Sequence, residues 1–278
     1  MKIAVIGKNG QLATCLKEVS PEDLDITFYG SDKVDITRSE TYDPLDTSDL
    51  IINCSAYTAV DRAEEFPEDA FAVNRMGVIQ LVDFCEAHHI KLIHFSTDFV
   101  FSGEESAPCK EEDFTGPKSI YGASKLAGEE VILQSSLSAL VIRTSWLYSP
   151  FGHNFCKTML RLARERTELS VVSDQIGTPT SALDLARAVF EIIPKGLPET
   201  PELLHVSNLG QCSWADFARE IFTQKSISVT VNDTTTKAFN APAKRPRYSV
   251  LSTEKLLFRY GIAMRSWKEA LTEVLTSL

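Results

Sequence analysis

The chain has 278 residues, 44% hydrophobic and 24% charged, which excludes a disordered polymer and leaves room for one large α/β unit or a main domain with a smaller lobe. A formal charge of -10 argues against nucleic acid and anionic membrane as partners, because both need a broad basic surface. Six cysteines without a C-x-x-C pair read as free thiols in a reducing compartment, no run reaches the ~18 apolar residues of a membrane span, and a cytoplasmic protein is expected.

The first strand is "KIAVIG" (2 to 7), followed by a glycine turn and a helix from Gln11. Gly7 and Gly10 sit where the strand ends and the helix begins, so backbone N–H groups and the helix dipole are available to a pyrophosphate. The spacing is G-x-x-G-x-x-A, with Ala13 where a third glycine is usual. The second strand, "DITFYG" (25 to 30), leads to "SDKVDIT", where Asp32 suits an unphosphorylated ribose and Lys33 an added phosphate. Both NADH and NADPH therefore fit, with NADPH the preferred reading.

"DLIINCSA" (49 to 56) is the next strand, and the eleven or so residues before it include a proline, so the crossover helix there should be short or missing. A helix across 68 to 88, the strand "KLIHFST" (91 to 97), a helix from about Ser119 and the strand "ALVIRTS" (139 to 145) complete a parallel pattern covered on both faces. The expectation is a Rossmann-type doubly wound sheet in a dinucleotide-binding domain over residues 1–150. The shorter units that follow, helices at 154 to 166, 182 to 193 and 214 to 222 and strands at 169 to 174 and 203 to 208, predict a smaller C-terminal α/β substrate lobe over 151–278, interleaved with the end of the sheet. Ser213 with Asp216 behind it caps the helix at 214.

Tyr121 and Lys125 are at i and i+4 on a predicted helix, hence on one face. A ketone reduced by hydride must also receive a proton, and a tyrosine gives one readily when an ammonium nearby favours its phenolate. Ser96 or Thr97, at the carboxyl end of a central strand, is placed to hydrogen-bond the ketone oxygen. His88, His89 and His94 show no metal-ligand spacing and read as surface or core residues.

Seven stretches, "GKNGQL", "YTAVDRAE", "STDFVF", "YGASKLAGE", "RTSWLY", "NFCKTMLRLA" and "SDQIGTPT", together resemble the dTDP-4-dehydrorhamnose reductases, extended short-chain dehydrogenases/reductases, in an order that runs almost end to end. The resemblance implies NAD(P)H-dependent reduction of the C4 ketone of dTDP-6-deoxy-L-lyxo-4-hexulose to dTDP-L-rhamnose, a nucleotide-sugar substrate and no metal in catalysis. It places catalysis on Thr97, Tyr121 and Lys125. It places cofactor contacts on Gly7, Asn9, Gly10, Gln11, Leu12, Asp35, Ile36, Cys54, Ser55, Ala56, Tyr57 and Asn74, with Tyr121 and Lys125 also touching the cofactor. Substrate contacts fall on Thr58, Val60, Asp98, Phe99, Trp146, Asn154 and Arg245.

Trp146 offers a flat apolar face to a deoxysugar, and "AKRPRYS" gathers three positive charges that suit a diphosphate. The string "YTAVDRAE" could equally start a helix through Asp61. Some members of the resembled family dimerise through a magnesium ion held by glutamates, but the corresponding positions here are Cys15 and Leu183, poor ligands for a hard cation. The expectation is a monomer or a homodimer without a bridging metal. Two other readings stay open: a reductase of another nucleotide-linked 4-ketosugar, and a non-catalytic dinucleotide-binding regulatory subunit.

Overall fold

Short apolar and β-branched runs form the strands β1 (Lys2–Ile6), β2 (Asp25–Tyr29), β3 (Leu50–Asn53), β4 (Lys91–Thr97) and β5 (Ala139–Thr144) in the computed structural model, which describes residues 1–278. Between and after them run helices α1 (Gln11–Glu18), α2 (Val60–Glu65), α3 (Pro67–Phe71), α4 (Gly77–His88) and α5 (Ile120–Leu133). The second half adds α6 (Phe155–Leu162), β6 (Glu168–Val172), α7 (Ala182–Ile192), β7 (Glu202–His205), α8 (Trp214–Gln224), β8 (Thr230–Thr234), α9 (Thr236–Phe239), α10 (Glu254–Tyr260) and α11 (Trp267–Thr276).

Six strands make one all-parallel sheet in the order β7-β5-β4-β3-β1-β2. The chain thus starts at β1, adds β2 on one side and then β3 on the other, which puts a topological switch point between β1 and β3, the place where open α/β sheets bind ligands. This is the expected doubly wound Rossmann-type fold.

Alternation along the strands sends Ile3, Val5, Ile52, Ile93, Leu140 and Ile142 to one face and Ala4, Ile6, Ile51, Leu92 and Val141 to the other. The first face belongs to a cluster of 42 buried residues that continues into the second half as far as Trp267 and Leu275, so sheet and lobe share one core. The second packs under α4 and α5.

The sequence is specific about helix starts. Ser119, Asn154, Ser213 and Ser266 each accept an N–H from the first turn of the helix that follows, and Ser213 with Asp216 and Ser266 with Glu269 form capping boxes. Two expectations change in detail. The helix across 68 to 88 is broken into α3, a π-turn over Ala72–Met76, and α4, because the Asn74 side chain inside that turn is drawn to the backbone of Tyr57. The helix from 154 ends at Leu162, ahead of the charged stretch 164–166. Where a short or missing helix was expected, two single 3₁₀ turns, Ser39–Thr41 and Asp43–Leu45, carry the chain to β3, pinned by the buried Tyr42 hydroxyl donating to Ile36 O at 2.6 Å.

All six cysteines are free, and no helix is long and apolar enough to cross a membrane.

Candidate active site

At the carboxyl ends of β1, β2 and β3 lies a cavity of about 280 Å³ lined by Gly7, Asn9, Gly10, Gly30, Ser31, Val34, Asp35, Ile36, Cys54, Ser55, Ala56 and Val73. Gly7 adopts φ +86°, and a Cβ there would stand 2.9 Å from the backbone of Cys54 and Ser55, so only glycine lets the turn close against β3. Gly10 precedes α1 with no side chain capping it and no acidic residue in the first turn. The helix N-terminus is therefore left open to an anion, and the cradle fits a dinucleotide pyrophosphate.

Eight of the sequence-derived cofactor residues line this cavity: Gly7, Asn9, Gly10, Asp35, Ile36, Cys54, Ser55 and Ala56. Gln11 and Leu12 do not. Leu12 is buried in the core, and Gln11 reaches the second half of the chain, giving its amide N–H to Leu147 O at 3.2 Å and accepting from Ser149 Oγ and Asn154 Nδ2. Asn74 holds both backbone groups of Tyr57 and donates to Ser124 Oγ at 2.9 Å, tying the exit of β3 to α5.

The strand end of β4 and the first turn of α5 meet beside this cradle. Thr97 donates to Asp98 Oδ1 at 3.1 Å and accepts the N–H of Phe99, while Ser249 donates to the other Asp98 oxygen at 2.6 Å. Burial pushes the Asp98 carboxyl up to about 6 against those two hydroxyl donors. The Tyr121 ring packs edge-on to Phe99, with ring centroids 5.5 Å apart, which sets its phenol against the Thr97 and Asp98 side chains. Burial pushes this phenol up to about 12; Thr97 acts the other way, and Asp98 adds to the rise. Tyr121 therefore holds its proton at neutral pH.

Lys125 lies one turn further along α5 and is 2% exposed, but its amine is not turned to the phenol. It donates to Phe95 O at 2.6 Å and sits 3.2 Å from His94 Nε2. Burial lowers it to about 8, opposed by Glu129. The expected lowering of the tyrosine by the ammonium is not the arrangement found: Lys125 is held by Phe95 and His94 instead.

After β5, Trp146 has the left-handed φ of +46° and stacks on Trp214 at 3.5 Å with the rings 6° from parallel. Phe155 stands 4.6 Å from Trp214 and extends this aromatic wall. Asn154 caps α6 with its side-chain oxygen. Arg245 is joined through both terminal nitrogens to the Asp61 carboxylate at 3.0 and 2.8 Å, and that guanidinium holds Asp61 below the usual carboxylate range. Asp61 is thus inside α2, not its cap. Thr58 is exposed and Val60 half-buried on the same segment.

No group of three or more His, Cys, Asp or Glu side chains is placed to hold a metal ion, and Cys15 and Leu183 are both buried. Sequence reasoning did not find Asn53, His94, Trp214 or Ser249. For His94 a signal existed, a lone imidazole in the otherwise apolar run "KLIHF"; for Ser249 none did, since its role depends on a loop 151 residues from Asp98.

A family model described as the RmlD substrate binding domain matches residues 1–278. The chain is 40% identical over 289 residues to a dTDP-4-dehydrorhamnose reductase of Sinorhizobium fredii, spanning 100% of this chain and 98% of the relative. A solved dTDP-4-dehydrorhamnose reductase from Bacillus anthracis in complex with NADP superposes with a TM-score of 0.95 at 37% identity over 100% of both chains, and one from Clostridium acetobutylicum with 0.93 at 38% over 99% of both. With every residue inside the family match and relatives paired end to end, the chain belongs to the RmlD family.

Proposed function

We propose that this chain reduces the C4 ketone of dTDP-6-deoxy-L-lyxo-4-hexulose to give dTDP-L-rhamnose, with NADPH, or NADH, as reductant. The relatives' shared name and the NADP complex of one of them support the reaction and the cofactor. The observation that carries the reading is Thr97 at the carboxyl end of β4 with Tyr121, from the first turn of α5, packed edge-on to the adjacent Phe99, beside a glycine cradle shaped for a dinucleotide.

When bound, the reduced nicotinamide supplies the hydride. As negative charge develops on the ketone oxygen, Thr97 fixes that oxygen by a hydrogen bond and Tyr121 gives it the phenolic proton, so that the carbonyl becomes a secondary alcohol. Lys125 is assigned to the cofactor ribose and to the phenolate that Tyr121 leaves. Gly7, Asn9, Gly10 and the 54–56 segment hold the pyrophosphate side, and Asp35 and Ile36 the adenosine side. Trp146 presents its ring to the deoxysugar, Phe99, Thr58 and Val60 shape the pocket between them, and Arg245 exchanges Asp61 for the substrate diphosphate. Residues 151–278 act mainly as the substrate lobe. A cytoplasmic location, no partner of nucleic acid or membrane, and a monomer or a homodimer without a bridging metal complete the reading.

The test is loss of reduced-nicotinamide absorbance with the ketosugar generated in situ, NADPH and NADH in parallel, and the product identified by NMR. Oxidation that depends on the sugar and yields the rhamnose epimer supports the reading. Binding of either cofactor without turnover would favour the regulatory alternative.

A further inference from the structure

Beneath the site, three side chains form a row that the reaction as drawn does not use in full: Asn53 at the end of β3, His94 directly opposite it in β4, and Lys125 from α5. Each is no more than 2% exposed. The row has a fixed polarity. Asn53 Oδ1 accepts the backbone N–H of Ser55 at 2.9 Å, which leaves the amide nitrogen as the group facing His94 Nδ1, also at 2.9 Å. Nδ1 must then accept, and a neutral imidazole carries its single proton on Nε2.

That Nε2 stands 3.2 Å from Lys125 Nζ. An ammonium has only donors and would meet the Nε2–H donor against donor. A neutral amine has a lone pair for Nε2–H and keeps N–H groups for Phe95 O at 2.6 Å, so both contacts become hydrogen bonds. Nζ has no other partner.

The remaining charged or titratable neighbours do not alter this choice. On α5, Glu129 is one turn from Lys125 and is engaged by Arg143 of β5 through bonds of 2.6 to 3.2 Å, while Tyr121 holds its proton. From the end of β4, Asp98 is taken by Thr97 and Ser249. Helix α4 buries only apolar side chains and the Cys85 thiol, which burial pushes up to about 12. Burial also drives His94 well below the usual imidazole range, in keeping with a neutral ring.

We propose that His94, oriented by Asn53, is a positioning residue that seats the Lys125 amine in its neutral form, so that cofactor binding draws Lys125 out of this seat and onto it one proton from solution. This rests on the assignment of Lys125 to the bound cofactor and Tyr121. Ribose hydroxyl oxygens are acceptors and favour the ammonium; the seat favours the amine.

Calorimetric titration with NADPH and with NADH, in buffers of different ionisation enthalpy, reads the proton count. Uptake of a large fraction of one proton per cofactor is expected at about pH 8.5, shrinking as the pH falls toward 7. In His94→Gln the amide oxygen can accept from an ammonium, so the uptake should vanish and the alkaline limb of the kcat/KM profile should move up by about one pH unit. Should that variant not fold, ¹⁵N NMR of imidazole-labelled wild-type protein reads the tautomer directly, with His94 expected neutral and protonated on Nε2 throughout the pH range of the titration. Cofactor binding with no proton uptake, a His94→Gln variant with unchanged uptake, or a His94 ring protonated on Nδ1 would each overturn the seat. Failure of both cofactors to bind would instead overturn the cofactor assignment, and the inference with it.

Discussion

Asn154 Nδ2 donates to Gln11 Oε1 at 2.8 Å, joining residues 143 positions apart. Gln11 opens α1 next to the glycine turn, and its other contacts to Leu147 and Ser149 make it the tether of the loop that follows Trp146. Removing it with Gln11→Ala deletes three partly buried hydrogen bonds worth roughly 1 kcal/mol each at most in net terms. The expected result is a melting point lower by several degrees and a KM for the nucleotide sugar that rises more than kcat falls. Calorimetry and steady-state kinetics check it, and an unchanged melting point would show that the loop is held elsewhere.

Tyr121→Phe keeps the ring packed edge-on to Phe99 and removes only the hydroxyl. Cofactor affinity should be retained while kcat drops by ~10²-fold or more, the usual loss when a general acid is deleted. Fluorescence titration with NADPH beside turnover separates the two quantities, and full turnover would take Tyr121 out of the reaction.

Asp98 gives a signed pH dependence. Its carboxyl is raised to about 6 in the folded chain, against roughly 3.9 when unfolded. Between those values the native state binds more protons than the unfolded one, so stability falls as pH rises through that window and is lower by about 3 kcal/mol above it. Asp98→Asn removes the titration. Denaturation of both proteins from about pH 4 to pH 7 should show the wild type losing ground to the variant, and parallel curves would refute the burial argument.

Gly177→Ala acts through a neighbour. A Cβ there would stand 2.5 Å from Trp146 Cε2 and 2.7 Å from Nε1, and the indole cannot yield because Trp214 is stacked on it at 3.5 Å. Overpacking of this kind costs about 1–3 kcal/mol. The substitution should shift the tryptophan emission spectrum and raise the KM for the nucleotide sugar, with cofactor affinity unaffected.

Arg245→Ala breaks an ion pair whose side chains are 23% and 45% exposed. Such a pair contributes under about 1 kcal/mol to stability. The larger effect is expected in KM for the nucleotide sugar, about 10-fold or more, since a charge-assisted contact to phosphate is worth ~1.5–3 kcal/mol. Equal KM values in both proteins would exclude Arg245 from diphosphate binding.

The parts that could be read from the chain are those in which local chemistry and the fold agree. The strands of the first half announce themselves by β-branched runs, the glycine turn by its spacing, and the absent crossover helix by too few residues around Pro44. What stayed hidden depends on contacts between distant segments. Asn74 breaks a helix because the Tyr57 backbone, 17 residues away, competes for it. The i, i+4 spacing of Tyr121 and Lys125 puts them on one face, but the direction of the amine is decided by His94 and Phe95 across the helix–sheet interface. After residue 225, β8 and α9 are short and carry little pattern of their own, whereas α11 shows the i, i+3, i+4 spacing of Trp267, Ala270, Leu271, Val274 and Leu275 behind a Ser266–Glu269 capping box.

The sixth strand of the sheet, β7, comes from the second half of the chain and pairs with β5 from Leu140 to Arg143. A polypeptide ending near residue 150 would leave β5 as a bare edge, its N–H and C=O groups unpaired and half of its apolar surface uncovered, a template for aggregation. The parts before and after residue 150 are therefore not separable modules: they should melt in a single cooperative transition, and exchanging the second part would have to carry β7 and its pairing with it.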